Sequence, residues 1–259
     1  MKKYLYLIKI NFSQIGAYRS DMLFGWFARL FQLFIVFALW SITQKTDQEM
    51  QKLFIYFFLF YLIFDIFCTG RISRQISKDI RRGELNSYLL KPFNYIFSVW
   101  VKIGITTIAR IIVPIILFIV LAFIRPDFAA PASLVHLILF FISSIFCIIL
   151  WNLFVTIIGS LSFWVNEISQ LQKVISLMLS VMIGKYIPLY LFPKQLQDII
   201  SLTPVNYLGN FQILIYQGGI SSQDISKGMF ILITWTIIFF FIAKFTYNKG
   251  LNIYEASGN

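Results

Sequence analysis

Residues Gly70 to Tyr95 read GRISRQISKDIRRGELNSYLLKPFNY, the long polar stretch between two apolar runs of membrane length. Ile72, Ile76 and Ile80 recur every four residues, which sets them on one face of a short helix. Arg71, Arg74, Lys78, Arg81 and Arg82 are threaded among them, and Gly83-Glu84 then breaks the helix. The expectation is a cytosolic loop that touches a partner. Its isoleucine face should lie on the membrane, and the segment Gly83–Pro92 should face that partner.

The rest of the chain is close to oil. Of its 259 residues 59% are hydrophobic and 13% charged, against about 25% charged in soluble domains. Mean hydropathy is +0.78, and 29 phenylalanines are spread through runs of about twenty residues. This composition excludes a soluble domain and predicts an all-α integral membrane protein. A single transmembrane domain over residues 1–259 follows, because no extramembrane segment is long enough to fold alone. The net charge of +11 sits beside the ends of apolar runs. That distribution fits contact with membrane lipid headgroups and not nucleic acid. Cys68 and Cys147 lie within apolar runs without metal-type spacing, so they read as small hydrophobes.

A span needs about 20 apolar residues. Six are expected: 22–43, 53–69, 103–124, 134–164, 171–191 and 229–246. With the N-terminus inside, fourteen Lys and Arg fall on the cytosolic side. They are Lys2, Lys3, Lys9, Arg19, Arg71, Arg74, Lys78, Arg81, Arg82, Lys91, Lys102, Lys173, Lys244 and Lys249. Six fall outside: Lys45, Lys52, Arg125, Lys185, Lys194 and Lys227. Both termini are therefore expected in the cytosol of a cell with a multi-pass protein in its inner or cytoplasmic membrane. Residues 2–19 form a weaker amphipathic helix (Leu5, Ile8, Phe12 and Ile15 on one side) suited to the inner interface. The N-terminal MKKYLYLIKINFSQ lacks the apolar core of a removable leader. After the fifth span, residues 186–219 are apolar but broken by Pro188, Pro193, Pro204 and Gly209. A re-entrant outer hairpin that includes Pro193, Pro204 and Tyr207 fits better than a seventh span.

Catalytic chemistry is not legible. No G-x-x-x-x-G-K-[ST] phosphate loop is present, His136 stands alone, and the acidic residues form no intramembrane pair. No catalytic, metal or cofactor residues are expected in this chain, and it is not expected to be an enzyme. Arg29, Asp65, Arg110 and Glu167 lie within or beside spans and are candidate gate or pathway residues. Two readings stand for them: snorkelling to the inner interface, or pairing of Asp65 with Arg29 or Arg110 between helices.

Two segments carry a family resemblance. RRGELNSYLLKPFNY, Arg81–Tyr95, is similar to the cytosolic loop of type-2 ABC exporter permeases, whose pattern runs Gly-x-Leu and then Leu-Leu-Lys-Pro. LFPKQLQDIISLTPVNYL, Leu191–Leu208, resembles their outer segment, with Phe-Pro, an apolar stretch, then Thr-Pro and an aromatic. Asn86 stands where the loop pattern carries Asp. The resemblance implies an ATP-driven exporter in which this chain is the membrane subunit. It pairs with a second permease, identical or homologous, and docks two copies of a separate ABC ATPase that holds ATP and Mg. The ATPase-coupling residues implied are Arg81, Arg82, Gly83, Glu84, Leu85, Leu89, Leu90, Lys91 and Pro92. The leucines would enter a groove while the basic neighbours fix register. A channel or ion-coupled carrier is the alternative, and a non-transporting membrane scaffold a third. Carriers usually place acidic or histidine relays near the midplane, and this chain carries none there.

Overall fold

The computed structural model describes residues 19–43, 46–90, 94–165 and 168–254, leaving out the side chains of 19–22, 62–65 and 127–128. The interfacial helix expected up to residue 19 lies outside the described residues, as do Lys91, Pro92, Glu167 and the side chain of Asp65.

Every regular element among the described residues is a helix. In chain order they are α1 Arg19–Ser41, α2 Asp47–Phe67, α3 Arg71–Arg81, α4 Leu85–Leu89, α5 Tyr95–Ile124 and α6 Pro126–Ala129. There follow α7 Leu134–Ser160, α8 Ser169–Met182, α9 Lys194–Leu202, α10 Asn210–Gln217 and α11 Ser222–Leu251. Tighter 3-10 turns sit at Leu161–Phe163, Leu189–Leu191 and Pro204–Leu208.

Among the described residues four stretches are long and apolar enough to cross a membrane: Leu23–Ser41, Tyr95–Ile124, Leu134–Phe163 and Ser222–Leu251. The last three are 30 residues each, about 45 Å of helix against a hydrocarbon core of about 30 Å. Asn94 caps α5 by accepting from the Phe97 N–H at 3.0 Å, so that helix starts eight residues before the apolar run expected from Ile103. Ser133 caps α7 through the His136 N–H, and Ser221 caps α11 through the Asp224 N–H.

The apolar run expected over 171–191 is divided. α8 has 14 residues, about 21 Å, and stops at Met182. Gly184 then takes φ +89, a conformation open to glycine and costly to other residues. The Tyr56 hydroxyl donates to the Gly184 carbonyl at 3.0 Å, and the Trp40 indole donates to the Tyr186 carbonyl at 2.7 Å. α1 and α2 thus satisfy the backbone that the break exposes.

α7 is the centre of the bundle. Cys147, Leu150 and Val155 are fully buried within it, and α3, α10 and α11 pack on its flanks. α11 approaches closely where Gly228 lies under the Phe211 ring and Gly250 under the Phe163 ring. α1 packs on α2, and α2 on α5.

The segment from Leu189 to Gln217 is folded back on this core. Residues Phe211, Ile213, Ile215 and Tyr216 of α10 are buried. Side chains capture the carbonyls freed by the broken helices. Tyr207 donates to Ser201 at 2.9 Å, Gln212 to Tyr207 at 3.0 Å and Trp235 to Leu202 at 3.1 Å, while Gln217 ties the segment to the Lys52 carbonyl of α2 at 2.7 Å. Tyr216 donates to the Ala129 carbonyl. Irregular backbone is tolerated at membrane depth only with such partners.

Candidate functional site

The loop between α2 and α5 has a fixed root and a free tip. At the root, the Trp151 indole donates to the Thr69 carbonyl at 3.2 Å, and the Gln172 amide donates to the Gly70 carbonyl at 2.9 Å. A side chain at Gly70 would displace this amide, since an added Cβ would sit 1.8 Å from Gln172 Nε2. Arg71 fans out from the first position of α3. Its guanidinium donates to Thr69 Oγ1 at 3.0 Å, Thr106 Oγ1 at 3.0 Å, Thr107 Oγ1 at 2.6 Å and the Ile66 carbonyl at 3.4 Å. Burial, with Arg110 and Arg29 nearby, pushes its pKa down to about 10. It remains a cation at neutral pH and ties the loop to both flanking helices.

Ile72, Ile76 and Ile80 do form one face of α3, but that face does not lie on the membrane. It is buried against α7. The contact is backbone-close: a Cβ built on Gly159 would lie 2.9 Å from Ser73 Cα and 3.0 Å from Ile76 Cβ. Small residues at the crossing (Ser73, Ser77, Gly159 and Ser160) let the two helices approach, as small residues do between membrane helices. The opposite face carries exposed Arg74, Lys78, Arg81 and Arg82.

A buried carboxylate completes the root. Asp79 is 1% exposed, and its Oδ2 accepts from the Tyr95 hydroxyl at 2.8 Å while Oδ1 accepts from the Gln75 amide at 2.7 Å. Tyr95 stacks on Tyr247 of α11 with ring centroids 6.0 Å apart and meets the edge of Tyr88 at 5.3 Å. Burial pushes the Asp79 carboxyl above its ordinary value, and the two donors pull against that. Asp79 therefore links α3 to the first turn of α5 and, through Tyr95, to the last turns of α11. This residue escapes a reading of the loop as a basic strip. Its signal is spacing: three residues after Ile76 and seven after Ile72, it falls on the buried face.

The tip is different in kind. Gly83 takes φ +70, which reverses the chain between α3 and α4. Arg82 and Glu84 face each other at 3.9 Å on the surface. The three leucines do not act alike: Leu85 is fully buried, whereas Leu89 is 48% and Leu90 89% exposed. Leu85 anchors the tip inward, and Leu89 and Leu90 present apolar surface outward.

Of the gate candidates, Arg29 and Arg110 have described side chains. Arg29 donates to the Gly25 carbonyl of its own helix at 3.0 Å, and the Arg110 carbonyl accepts from the Trp26 indole at 2.8 Å. Arg29, Arg71 and Arg110 gather beside the loop root. At the other end, Pro193 and Pro204 stand at the starts of α9 and of the 3-10 turn before α10, and the buried Tyr207 meets the Phe211 ring edge-on at 5.1 Å.

A family model for the ABC-2 family transporter proteins matches residues 22–258. The chain belongs to that family. No curated protein matches it. An ABC-2 family member is the membrane component of an ABC transporter and is not itself the ATPase. The long apolar helices are thus those of a multi-pass transport permease.

Proposed function

We propose that this permease is the membrane half of an ATP-driven exporter, and that the tip of the α3–α4 loop is its contact with the ATPase. The observation that carries this reading is the unequal leucines. Leu89 and Leu90 stand exposed beside exposed Arg81 and Arg82, on a loop whose root is clamped by Arg71, Asp79 and the Ile76–Gly159 contact. A rigid root with an apolar tip is what transmits a push, because force applied at Leu89 reaches α5 and α11 through Tyr95 and α7 through Gly159. Basic residues flanking the tip supply register against an acidic partner groove. The substrate pathway forms with a second permease, the N-terminus lies in the cytosol, and residues 186–219 form the outer hairpin. The captured carbonyls of Ser201, Leu202 and Tyr207 in that hairpin support a re-entrant segment.

The test is co-expression with an ABC ATPase and recovery of the complex. The wild-type permease retains the ATPase and gives vanadate-sensitive ATP hydrolysis. Leu89→Asp loses the ATPase while the permease still inserts and elutes as a folded species. Retention by Leu89→Asp removes this tip from the interface.

A further inference from the structure

A cavity of about 690 Å³ opens at the end of the molecule opposite the α3–α4 loop. Its walls are the first turns of α2, the outer segment from Leu189 to Gly219, and the first turns of α11. That volume falls in the range of about 300–1,000 Å³ typical of small-molecule sites.

The lining carries both signs of charge. Lys52 and Lys227 contribute ammonium groups, and Glu49, Asp198 and Asp224 contribute carboxylates. Two of these carboxylates have local work. Glu49 Oε2 accepts from the Thr46 N–H at 3.3 Å, and Asp224 Oδ2 accepts from the Ser221 hydroxyl at 2.6 Å. These two acids lie in the first turns of α2 and α11, so the positive ends of both helices are already matched. Among the described residues Lys52, Lys227 and Asp198 enter no ion pair, the pair formed being Arg82–Glu84. Opposite charges that share one cavity without closing on each other are complementary to a ligand that carries both. Tyr190 and the apolar Leu53, Leu202 and Ile231 line the same cavity. Tyrosine faces attract ammonium groups, and the aliphatic wall suits a hydrocarbon chain.

We infer that this cavity binds an amphiphile whose headgroup carries both an ammonium and a phosphate. Lys52 and Lys227 take the phosphate; Asp198 and Tyr190 take the ammonium; the leucines and Ile231 take the start of the chain. The assignment rests on the exporter reading for the cavity's outer location and for its meaning as a cargo or lipid site. Binding itself does not depend on an ATPase.

The experiment uses the purified full-length permease without ATPase, so that failure here and failure of coupling are separate results. Native mass spectrometry measures retention of lysophosphatidylethanolamine, lysophosphatidylglycerol and free glycerophosphoethanolamine. The zwitterionic lysolipid is retained in preference to the anionic one. Lys227→Glu and Asp198→Lys, both on exposed residues, each weaken that retention at least tenfold without changing the elution profile. Lys52→Glu gives the same loss if either of the first two fails to fold. Retention of the lysolipid but not of the free headgroup assigns a lipid; equal retention of both assigns a soluble zwitterion, and either supports the site. Equal or greater retention of the phosphoglycerol lysolipid, or zwitterion retention unchanged in the charge-reversal variants, overturns the inference.

Discussion

Replacing Gly159 by alanine tests whether α3 is seated on α7. The added methyl would lie 2.9 Å from Ser73 Cα and 3.0 Å from Ile76 Cβ, where carbon atoms prefer about 3.5–4.0 Å. Ser73 Cα is backbone, so no side-chain rotation relieves the contact. The helices must part by roughly half an ångström to one ångström, at the usual overpacking cost of about 1–3 kcal/mol. Alanine also gains about 1 kcal/mol of helix propensity over glycine, which would mask part of the loss. Gly104 supplies the control, because a Cβ there meets nothing within 4 Å. Gly104→Ala takes the propensity gain alone, so the difference between the two variants isolates the packing term. That difference is expected to be about 1–3 kcal/mol, or about 2–4 °C in unfolding midpoint per kcal/mol for a protein of this size. Thermal unfolding of the detergent-solubilised permease reads it, and Gly159→Ala should be the lower. Equal midpoints for Gly159→Ala and Gly104→Ala would refute the seating of the loop.

Three further outcomes are expected. The Asp79 carboxyl is held above its ordinary 3.8, so the folded state keeps a proton that the unfolded chain has released. The stability this contributes is full below the ordinary value and is lost as pH rises through the raised one. The unfolding midpoint of the wild type should therefore gain on Asp79→Asn as pH is lowered through that window, and a pH-independent difference between the two would contradict the assignment. Tyr95→Phe leaves the buried Asp79 Oδ2 without its donor, at about 1–3 kcal/mol; it should lower both stability and ATPase stimulation, and wild-type values in both would remove Tyr95 from the coupling path. Gln212→Leu leaves the Tyr207 carbonyl without its donor, at about 1–3 kcal/mol. Protease sensitivity should then rise between α9 and α10, and an unchanged digestion pattern would show that Gln212 does not hold the outer segment.

Much of the architecture is legible in the apolar runs. The run Met229–Thr246 returns as α11, longer than expected because Ser221 caps it outside the apolar limit, and the run Leu134–Trp164 returns as α7, which starts at Leu134 behind its Ser133 cap and ends at Ser160. Composition does not reveal where a run is cut. Leu171–Leu191 looks continuous, yet Gly184 takes a positive φ held by Tyr56, a residue 128 positions away. Periodicity identified the isoleucine face of the loop but not what covers it, since lipid and Gly159 make equal demands on Ile76. The same limit separates Leu85 from Leu89. Both are leucines of one motif, and only tertiary packing buries the first and exposes the second. Asp79 was hidden for the opposite reason: a lone acid in a basic strip reads as solvated until Tyr95 and Gln75 are seen to close over it.

Site-specific photocrosslinking from the loop reads the proposed contact directly. A photoreactive residue placed at Leu90 should capture the ATPase subunit in the assembled complex, and one placed at Ile76 should capture only the permease itself. Crosslinking from Leu90 to lipid alone, with the ATPase present and active, would contradict the claim that this tip is where ATP hydrolysis is coupled to transport.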